Sequence, residues 1–366
     1  MMFARSDRLM RDAVQSGVFP GGVLLVFDRQ GIRFHQAYGK ADIFRNTPMD
    51  PDMVFDLASL TKPLATTLAV AVLVAKGLIG FDDCIGEILP DLNNRDEGDV
   101  CIRDLLGHCA GFAAYRPYYL KTDPLGSRAH LDELRSLLAE ERLQYLPRQE
   151  YRYSDVGFMM LHWIIETVSG QRLAQFLQEN VYGLIEGLGL FFNARESEVP
   201  DLAYAATEWC PWRSRLMCGQ VHDENAWAFG GVGGHAGLFG RAVDIWLLMR
   251  QLLSDLDGES NARIFPQAIV RELFAPHRFS PRALGFDLPS KIASSSGRWF
   301  SPESIGHLGF TGTSFWVDLP RRMGVILLTN RVHPSRGNIA IREFRPLLHD
   351  AIMESFGYGH SISMNC

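Results

Sequence analysis

The chain has 366 residues, 47% of them hydrophobic and 21% charged, which is enough to bury a sizeable core as one large domain or two lobes. A formal net charge of −6, with 36 basic and 42 acidic side chains interleaved, offers no basic stripe for nucleic acid and no polybasic patch for a membrane surface. Six cysteines (Cys84, Cys101, Cys109, Cys210, Cys218 and Cys366) show no C-x-x-C spacing, and residues 1–17 have no apolar core, so the expectation is reduced thiols, no secretory signal and a cytoplasmic location.

In chain order, Phe3 to Ser16 has helical spacing, and Gly21 to Phe27 and Ile32 to Tyr38 are extended runs around the turn Asp28-Arg29-Gln30-Gly31, which predicts a hairpin. A polar connection, Gly39 to Asp52, follows. Leu64 to Ala75 is apolar on nearly every side, so it predicts a helix buried all round, ended by Gly77 and Gly80 and too short to span a bilayer. Val100 to Gly107, Leu131 to Arg142, Phe158 to Ser169 and Leu173 to Leu184 have three-and-four spacing without alternation, so the middle of the chain reads as mostly α. Arg241 to Leu256 is another amphipathic helix, and Ser290 to Ser304 is a turn-rich surface loop.

Strand patterns return at Ile305 to Gly309, Thr313 to Leu319 and Gly324 to Thr329, before a closing helix over Ile339 to Ser355. Two strands near the N-terminus and three near the C-terminus predict one five-stranded antiparallel sheet flanked by helices, an α/β fold of the α+β type. The sheet lobe would run over about residues 1–58 and 240–366, with a mostly helical lobe inserted over about residues 59–239 of a single domain. A cleft between the lobes is the natural ligand site.

Chemistry concentrates at Ser59-Leu60-Thr61-Lys62, at the head of the apolar helix. Residues three apart share a helix face, so a hydroxyl and an amine project together where unpaired backbone N–H groups favour developing negative charge. Pro63 disfavours helical geometry at Lys62, a local rule broken where chemistry is expected. Ser59 as a simple helix cap and Lys62 as a solvated side chain is the bland alternative, weakened because the chain has only five lysines (Lys40, Lys62, Lys76, Lys121 and Lys291).

Two further stretches stand out. Tyr151-Arg152-Tyr153-Ser154-Asp155 precedes a helix starting near Val156, which puts Tyr153 and Asp155 on a short loop; Asp155 also suits a plain helix cap. Gly306-His307-Leu308-Gly309-Phe310-Thr311-Gly312-Thr313 is glycine-rich where a strand edge would admit a ligand, or simply bulge. Gly231 to Ala236 fits a loose G-x-G-x-x-A, but no strand leads into it, so backbone near the cleft is the better reading than a nucleotide loop. His222, Asp223, Glu224 and His235 lack zinc spacing and read as a polar network, and His108 as a hydrogen-bonded structural histidine.

In order and context these pieces resemble the serine β-lactamase-like hydrolases: class C β-lactamases, D-alanyl-D-alanine carboxypeptidases and related esterases. Ser59-Leu60-Thr61-Lys62 matches the nucleophile tetrad, Tyr153-Ser154-Asp155 is similar to Tyr-x-Asn, and His307-Leu308-Gly309 is similar to Lys-Thr-Gly. The resemblance implies that Ser59 attacks, that Lys62 and Tyr153 handle its proton, and that Asp155, His307, Gly309 and Phe310 bind substrate, with the Ser59 and Phe310 backbone N–H groups as the oxyanion hole. From the absence of a nucleotide loop and of zinc spacing, no cofactor and no metal are expected.

Two departures bear on substrate: Asp155 stands for Asn, and His307 with Leu308 stands for Lys with Thr. A negative charge near Lys62 favours its ammonium form and shifts the base role towards Tyr153, as a phenolate stabilised by Lys62 and His307. The expected function is a serine hydrolase forming an acyl-enzyme on a small-molecule acyl substrate, esters before β-lactams or D-alanyl peptides. The alternatives are acyl transfer to an acceptor other than water, and a catalytically silent binding protein of the same fold.

Overall fold

Strand Gly21–Asp28 is buried on both faces from Gly21 to Phe27, and the fold is layered about it. Its alternate residues feed two different cores: Val23, Leu25 and Phe27 point into the larger one, Leu24 and Val26 into the smaller. It pairs antiparallel with Gly31–Asp42 and with Met323–Thr329, so that Leu24 lies opposite both Gln36 and Leu327. The two ends of the chain therefore meet in adjacent strands. This architecture comes from a computed structural model that describes residues 2–121, 130–194, 202–258 and 263–359; Cys366 lies outside the described residues.

The full sheet runs Thr47–Pro48, Gly31–Asp42, Gly21–Asp28, Met323–Thr329, Ser314–Asp318, Ile305–Leu308. It has six strands where the sequence predicts five. The addition, Thr47–Pro48, sits in the stretch read as a polar connection and pairs with Lys40 and Asp42. A short edge strand carrying proline has neither the alternation nor the full set of donors by which a strand is recognised.

Helices Ala4–Gln15 and Ile341–Ser355 cover one face of the sheet, closing the smaller core with Met10, Ala13, Phe344, Leu348 and Ile352. On the other face lies Ala242–Asp257, through Ile245, Leu248 and Leu252. Beyond it, Thr67–Ala75 forms the centre of the helical lobe and packs against Asp155–Ser169, Leu173–Asn180 and Gln267–Phe274. Residues 58–75 are long and apolar enough to cross a membrane, yet 83% of that segment is buried inside the protein, so core packing accounts for its hydropathy.

Several expectations need correcting. The helices predicted over 100–107 and 173–184 shrink to Ile102–Leu106 and Leu173–Asn180. The Gln267–Phe274 helix is absent from the sequence prediction, although Val270, Leu273 and Phe274 carry helical spacing. The mostly helical middle also holds short strands: Phe55–Asp56, Leu238–Gly240 and Phe191–Phe192 form a three-stranded sheet, and Trp209–Cys210 pairs with Arg215–Leu216. Elements this short show no period, but the first pairing matters. It clamps the segment just before Ser59 to the segment just after His235.

Candidate active site

The turn that presents Ser59 is built from its own neighbours. Ala58 has a positive φ of 48°, a costly conformation for a residue with a Cβ. The buried Asp56 carboxylate holds it there, accepting from Ala58 N at 2.9 Å and from His222 N at 2.6 Å. Thr61 Oγ1 donates to Ala58 O at 2.6 Å and accepts from Leu238 N at 3.1 Å. Instead of the single predicted helix, the chain winds Ala58–Leu60 as a 3₁₀ turn and Lys62–Thr66 as a π turn, and becomes α-helical only from Thr67. Pro63 supplies no N–H and disfavours α geometry before it, and the widened turn absorbs both constraints.

Lys62 is completely buried. Its Nζ donates to Ser59 Oγ at 3.1 Å and to the His235 carbonyl at 3.0 Å, and pairs with Asp155 Oδ1 at 2.7 Å. Burial alone would push its pKa down, but the charge of the Asp155 carboxylate, with Tyr153 and the hydrogen bonds to both residues, outweighs that and raises it. The amine beside the Ser59 hydroxyl is thus an ammonium at rest.

Asp155 is the first residue of its helix rather than a loop residue before it, and the cap is Ser154, whose Oγ accepts from Gly157 N at 3.0 Å. Ser154 also donates its backbone N–H to His108 Nδ1 at 3.0 Å, which fixes the turn that carries Tyr153. The Tyr153 ring lies 4.5 Å from the His108 ring, 4.8 Å from Lys62 Nζ and 6.0 Å from the His307 ring, centroid to centroid for the ring pairs. Burial raises the Tyr153 pKa against the opposing pull of Lys62, so the resting group is the phenol.

His307 lies on Ile305–Leu308, opposite Phe315. Its Nδ1 is 3.0 Å from the Leu308 carbonyl, an acceptor only, so Nδ1 carries the proton. Burial pushes its pKa down to about 4, which leaves it neutral at pH 7. His307 therefore adds no charge to stabilise a phenolate at Tyr153: burial, with the nearby Arg282 and Lys62 cations, outweighs the pull of the Asp287 carboxylate 3.9 Å away.

After the strand, Gly309 N donates to Thr313 O at 2.7 Å, and a Cβ at Gly309 would fall 1.9 Å from Thr313 Oγ1 and 2.7 Å from Leu57 O. Thr313 Oγ1 and Thr311 Oγ1 donate to the carbonyls of Leu57 and Asp56 at 3.1 and 2.8 Å. The third motif is thereby sewn to the backbone immediately before Ser59. Phe310, half-exposed, stacks on His222 at 5.6 Å.

These groups surround a cavity of about 350 Å³, lined by Ser59, Tyr153, Asp155, Phe310, Tyr115 and His235 among others. Tyr115 and Arg336, also in the lining, carry no motif in sequence and go unnoticed there. The Gly231 to Ala236 stretch does come to the cleft through its backbone: Gly234 O accepts from Thr66 Oγ1 at 2.6 Å, and His235 O holds Lys62. The four metal-capable residues form separate pairs, with His235 Nε2 on Asp223 at 2.8 Å, His222 Nε2 on Glu208 at 2.9 Å, and Arg336 on Glu208 and Glu224. Among the described residues, Asp104, Cys109 and His277 bring ligand atoms within 4.8 Å elsewhere, but Arg148 Nε already chelates Asp104 at 3.0 and 3.1 Å.

The profile of the family described as Beta-lactamase matches residues 6–347. A protein of Escherichia coli O157:H7 named "Putative D-alanyl-D-alanine carboxypeptidase" is 30% identical over 357 residues, covering 89% of this chain and 82% of that one. A Salmonella agona protein of the same name is 29% identical over 367 residues, covering 91% and 84%. Among solved structures, EstCE1, titled a hydrolase with promiscuous acyltransferase activity, superposes with a TM-score of 0.73 at 22% identity over 94% of this chain and 98% of that one. A variant of simvastatin synthase from Aspergillus terreus gives 0.73 at 19% identity, covering 98% of each chain. With the match spanning nearly the whole sequence, and with the antiparallel sheet and helical lobe of the β-lactamase/transpeptidase-like fold around it, this chain belongs to the Beta-lactamase family.

Proposed function

We propose that this protein is a serine hydrolase that forms an acyl-enzyme at Ser59 and prefers small uncharged esters to β-lactams or D-alanyl peptides. The observation that carries the reading is the contact of a fully buried Lys62 Nζ with Ser59 Oγ at 3.1 Å. A serine hydroxyl is a weak nucleophile until a neighbour takes its proton, and Tyr153 in its phenolate form, with the Lys62 ammonium as relay, is the base at hand. Attack by Oγ on the substrate carbonyl forms the tetrahedral adduct from the minor form of the enzyme in which Tyr153 is a phenolate beside the Lys62 ammonium. The Oγ proton passes to that phenolate by way of the ammonium, which gives up one proton as it gains another. Collapse expels the alkoxide, which recovers that proton, and water repeats the sequence on the acyl-enzyme.

The preference for esters rests on charge. His307 is neutral and Leu308 offers no side-chain hydrogen bond, so neither anchors a substrate carboxylate. Arg336, the one cation in the cavity lining among the described residues, is already paired with Glu208 and Glu224. A charge-assisted hydrogen bond contributes roughly 1.5–3 kcal/mol, so its loss weakens selection for a carboxylate by about ten- to a hundredfold. The relatives named "Putative D-alanyl-D-alanine carboxypeptidase" make that activity the natural competitor, and the promiscuous acyltransferase activity of EstCE1 makes acyl transfer a further possible outcome.

Intact-protein mass spectrometry after exposure to a fluorophosphonate, activated esters and a β-lactam tests the reading. A single adduct mapping to Ser59, with higher kcat/KM on a nitrophenyl butyrate than on a chromogenic cephalosporin, is the expected result. An adduct elsewhere, or none, removes the nucleophile assignment, and a preference for the cephalosporin removes the ester assignment.

A further inference from the structure

The lysine of the family's third motif is replaced by a neutral histidine, yet a cation stands directly behind it. Arg282 and Asp287 face each other across a short bridge, and Asp287 pairs in turn with Gly306, its N–H donating to Gly306 O at 2.7 Å and its carbonyl accepting from Gly306 N at 3.0 Å. This extension of the sheet edge carries the Arg282 guanidinium to His307, with Nη1 at 3.5 Å from Nε2. Because Nδ1 of His307 spends its proton on the Leu308 carbonyl, Nε2 is left as an acceptor facing that guanidinium. Arg282 also donates from Nε to the Tyr151 hydroxyl at 2.5 Å, pairs with the Asp287 carboxylate, and sets its Cζ 4.9 Å from the Tyr153 ring centroid.

We propose that Arg282 is a positioning residue that supplies, at Tyr153, the positive charge the third motif lacks, while leaving the substrate-carboxylate anchor unfilled. The inference rests on the acyl-transfer reading of Ser59, Lys62 and Tyr153. It divides two tasks that one lysine would perform together. The field task passes to Arg282, which is 16% exposed and is absent from the lining of the Ser59 cavity. The anchoring task does not pass to Arg282, because its guanidinium is committed to Asp287, Tyr151 and His307.

Lys62 stands over the Tyr153 ring at 4.8 Å, but Asp155 compensates it at 2.7 Å. His108 and His307 are both held neutral by burial. Among the described residues Arg282 is the other cation facing the ring, and it too is paired, in direct contact with the Asp287 carboxylate. Both Lys62 and Arg282 act to lower the Tyr153 pKa, while burial and Asp155 raise it. Removing the guanidinium therefore moves Tyr153 further from ionisation.

The test is the pH dependence of kcat/KM on a neutral activated ester, with Ser59 labelling by fluorophosphonate measured on the same preparations. Arg282→Gln loses the cation, so the acidic limb should move to higher pH by about one unit, with the loss falling on kcat rather than KM. Arg282→Lys should keep the wild-type limb. Asp287→Asn keeps Arg282 but removes its compensating carboxylate, so its limb should move the other way, to lower pH; it reads the same field even if Arg282→Gln fails to fold. The ratio of kcat/KM for a neutral ester to that for its carboxylated analogue should stay unchanged in all three. Unmoved limbs in folded Arg282→Gln and Asp287→Asn overturn the proposal, as does a fall in carboxylated-substrate activity alone, which would make Arg282 an anchor. A wild-type protein that is not labelled at Ser59 overturns the acyl-transfer reading instead, and this proposal with it.

Discussion

Asp155 Oδ1 lies 2.7 Å from Lys62 Nζ, so the amine that touches the Ser59 hydroxyl has a carboxylate where the related Tyr-x-Asn motif would offer a neutral amide. The pairing keeps Lys62 charged and makes it a better electrostatic partner than proton acceptor.

Replacing the carboxylate by an amide should reverse that. In Asp155→Asn the raised Lys62 pKa falls, the lysine sheds its proton more readily, and a limb governed by Lys62 moves to lower pH. Stability follows the same linkage. A lysine whose folded pKa lies above its unfolded value of about 10.4 stabilises fully below that pH and loses the contribution as pH rises through the folded value. Asp155→Asn should thus cost about 1–3 kcal/mol at pH 7, with the difference from wild type narrowing above about pH 10. Urea unfolding at both pH values measures it, and an unchanged gap would argue that the pair contributes nothing.

Tyr153→Phe removes the hydroxyl while keeping the ring packed on His108. If the phenol carries the proton, kcat on an activated ester should fall by about 10²–10⁴ while the melting temperature changes little. Near-normal turnover would transfer the whole base role to Lys62.

Acid should destabilise this protein through two buried histidines. His307 and His349 both have folded pKa values near 4, depressed by burial from about 6.5. Between those values the unfolded chain binds more protons than the native one, so stability rises with pH and is lost as pH falls from about 6.5 towards 4. Each shift corresponds to at most about 3 kcal/mol. His349→Gln should flatten the measured slope of unfolding free energy over that window, and an unchanged slope would remove His349 from the account.

Restoring the third motif needs more than the two motif residues. His307→Lys with Leu308→Thr would bring an ammonium next to Arg282, whose Nη1 is 3.5 Å from His307 Nε2, and the two cations would repel. Only the triple change that adds Arg282→Gln should raise cephalosporin kcat/KM relative to a nitrophenyl ester, by about ten- to a hundredfold. Parallel assays of the double and triple variants decide it, and equal ratios would show that the missing anchor is not what sets the preference.

Much of this was legible in the residues because local patterns carry it. Alternation and apolar runs mark the long strands and the buried Thr67–Ala75 helix, and three-residue spacing puts Ser59 and Lys62 on one side of a turn. A proline after Lys62 already signals irregular backbone there, which the π turn then takes up. The same reading follows Tyr153 and Asp155 to one short segment, and His307 to a strand.

What sequence could not supply is whatever depends on contacts between distant segments of the chain. Thr47–Pro48 becomes a strand only because Gly31–Asp42 lies beside it, and Phe55–Asp56 only because Leu238–Gly240 returns to pair with it. The Lys62 ammonium needs the His235 carbonyl, the Asp155 carboxylate and the exclusion of water together, and His307 becomes neutral only when the sheet and its neighbours bury it. Arg282 belongs to no motif. It reaches Tyr153 and His307 because the Arg282–Asp287 bridge extends the sheet edge, and a charge's effect on a neighbour's ionisation is set by distance and burial, which no local spacing encodes.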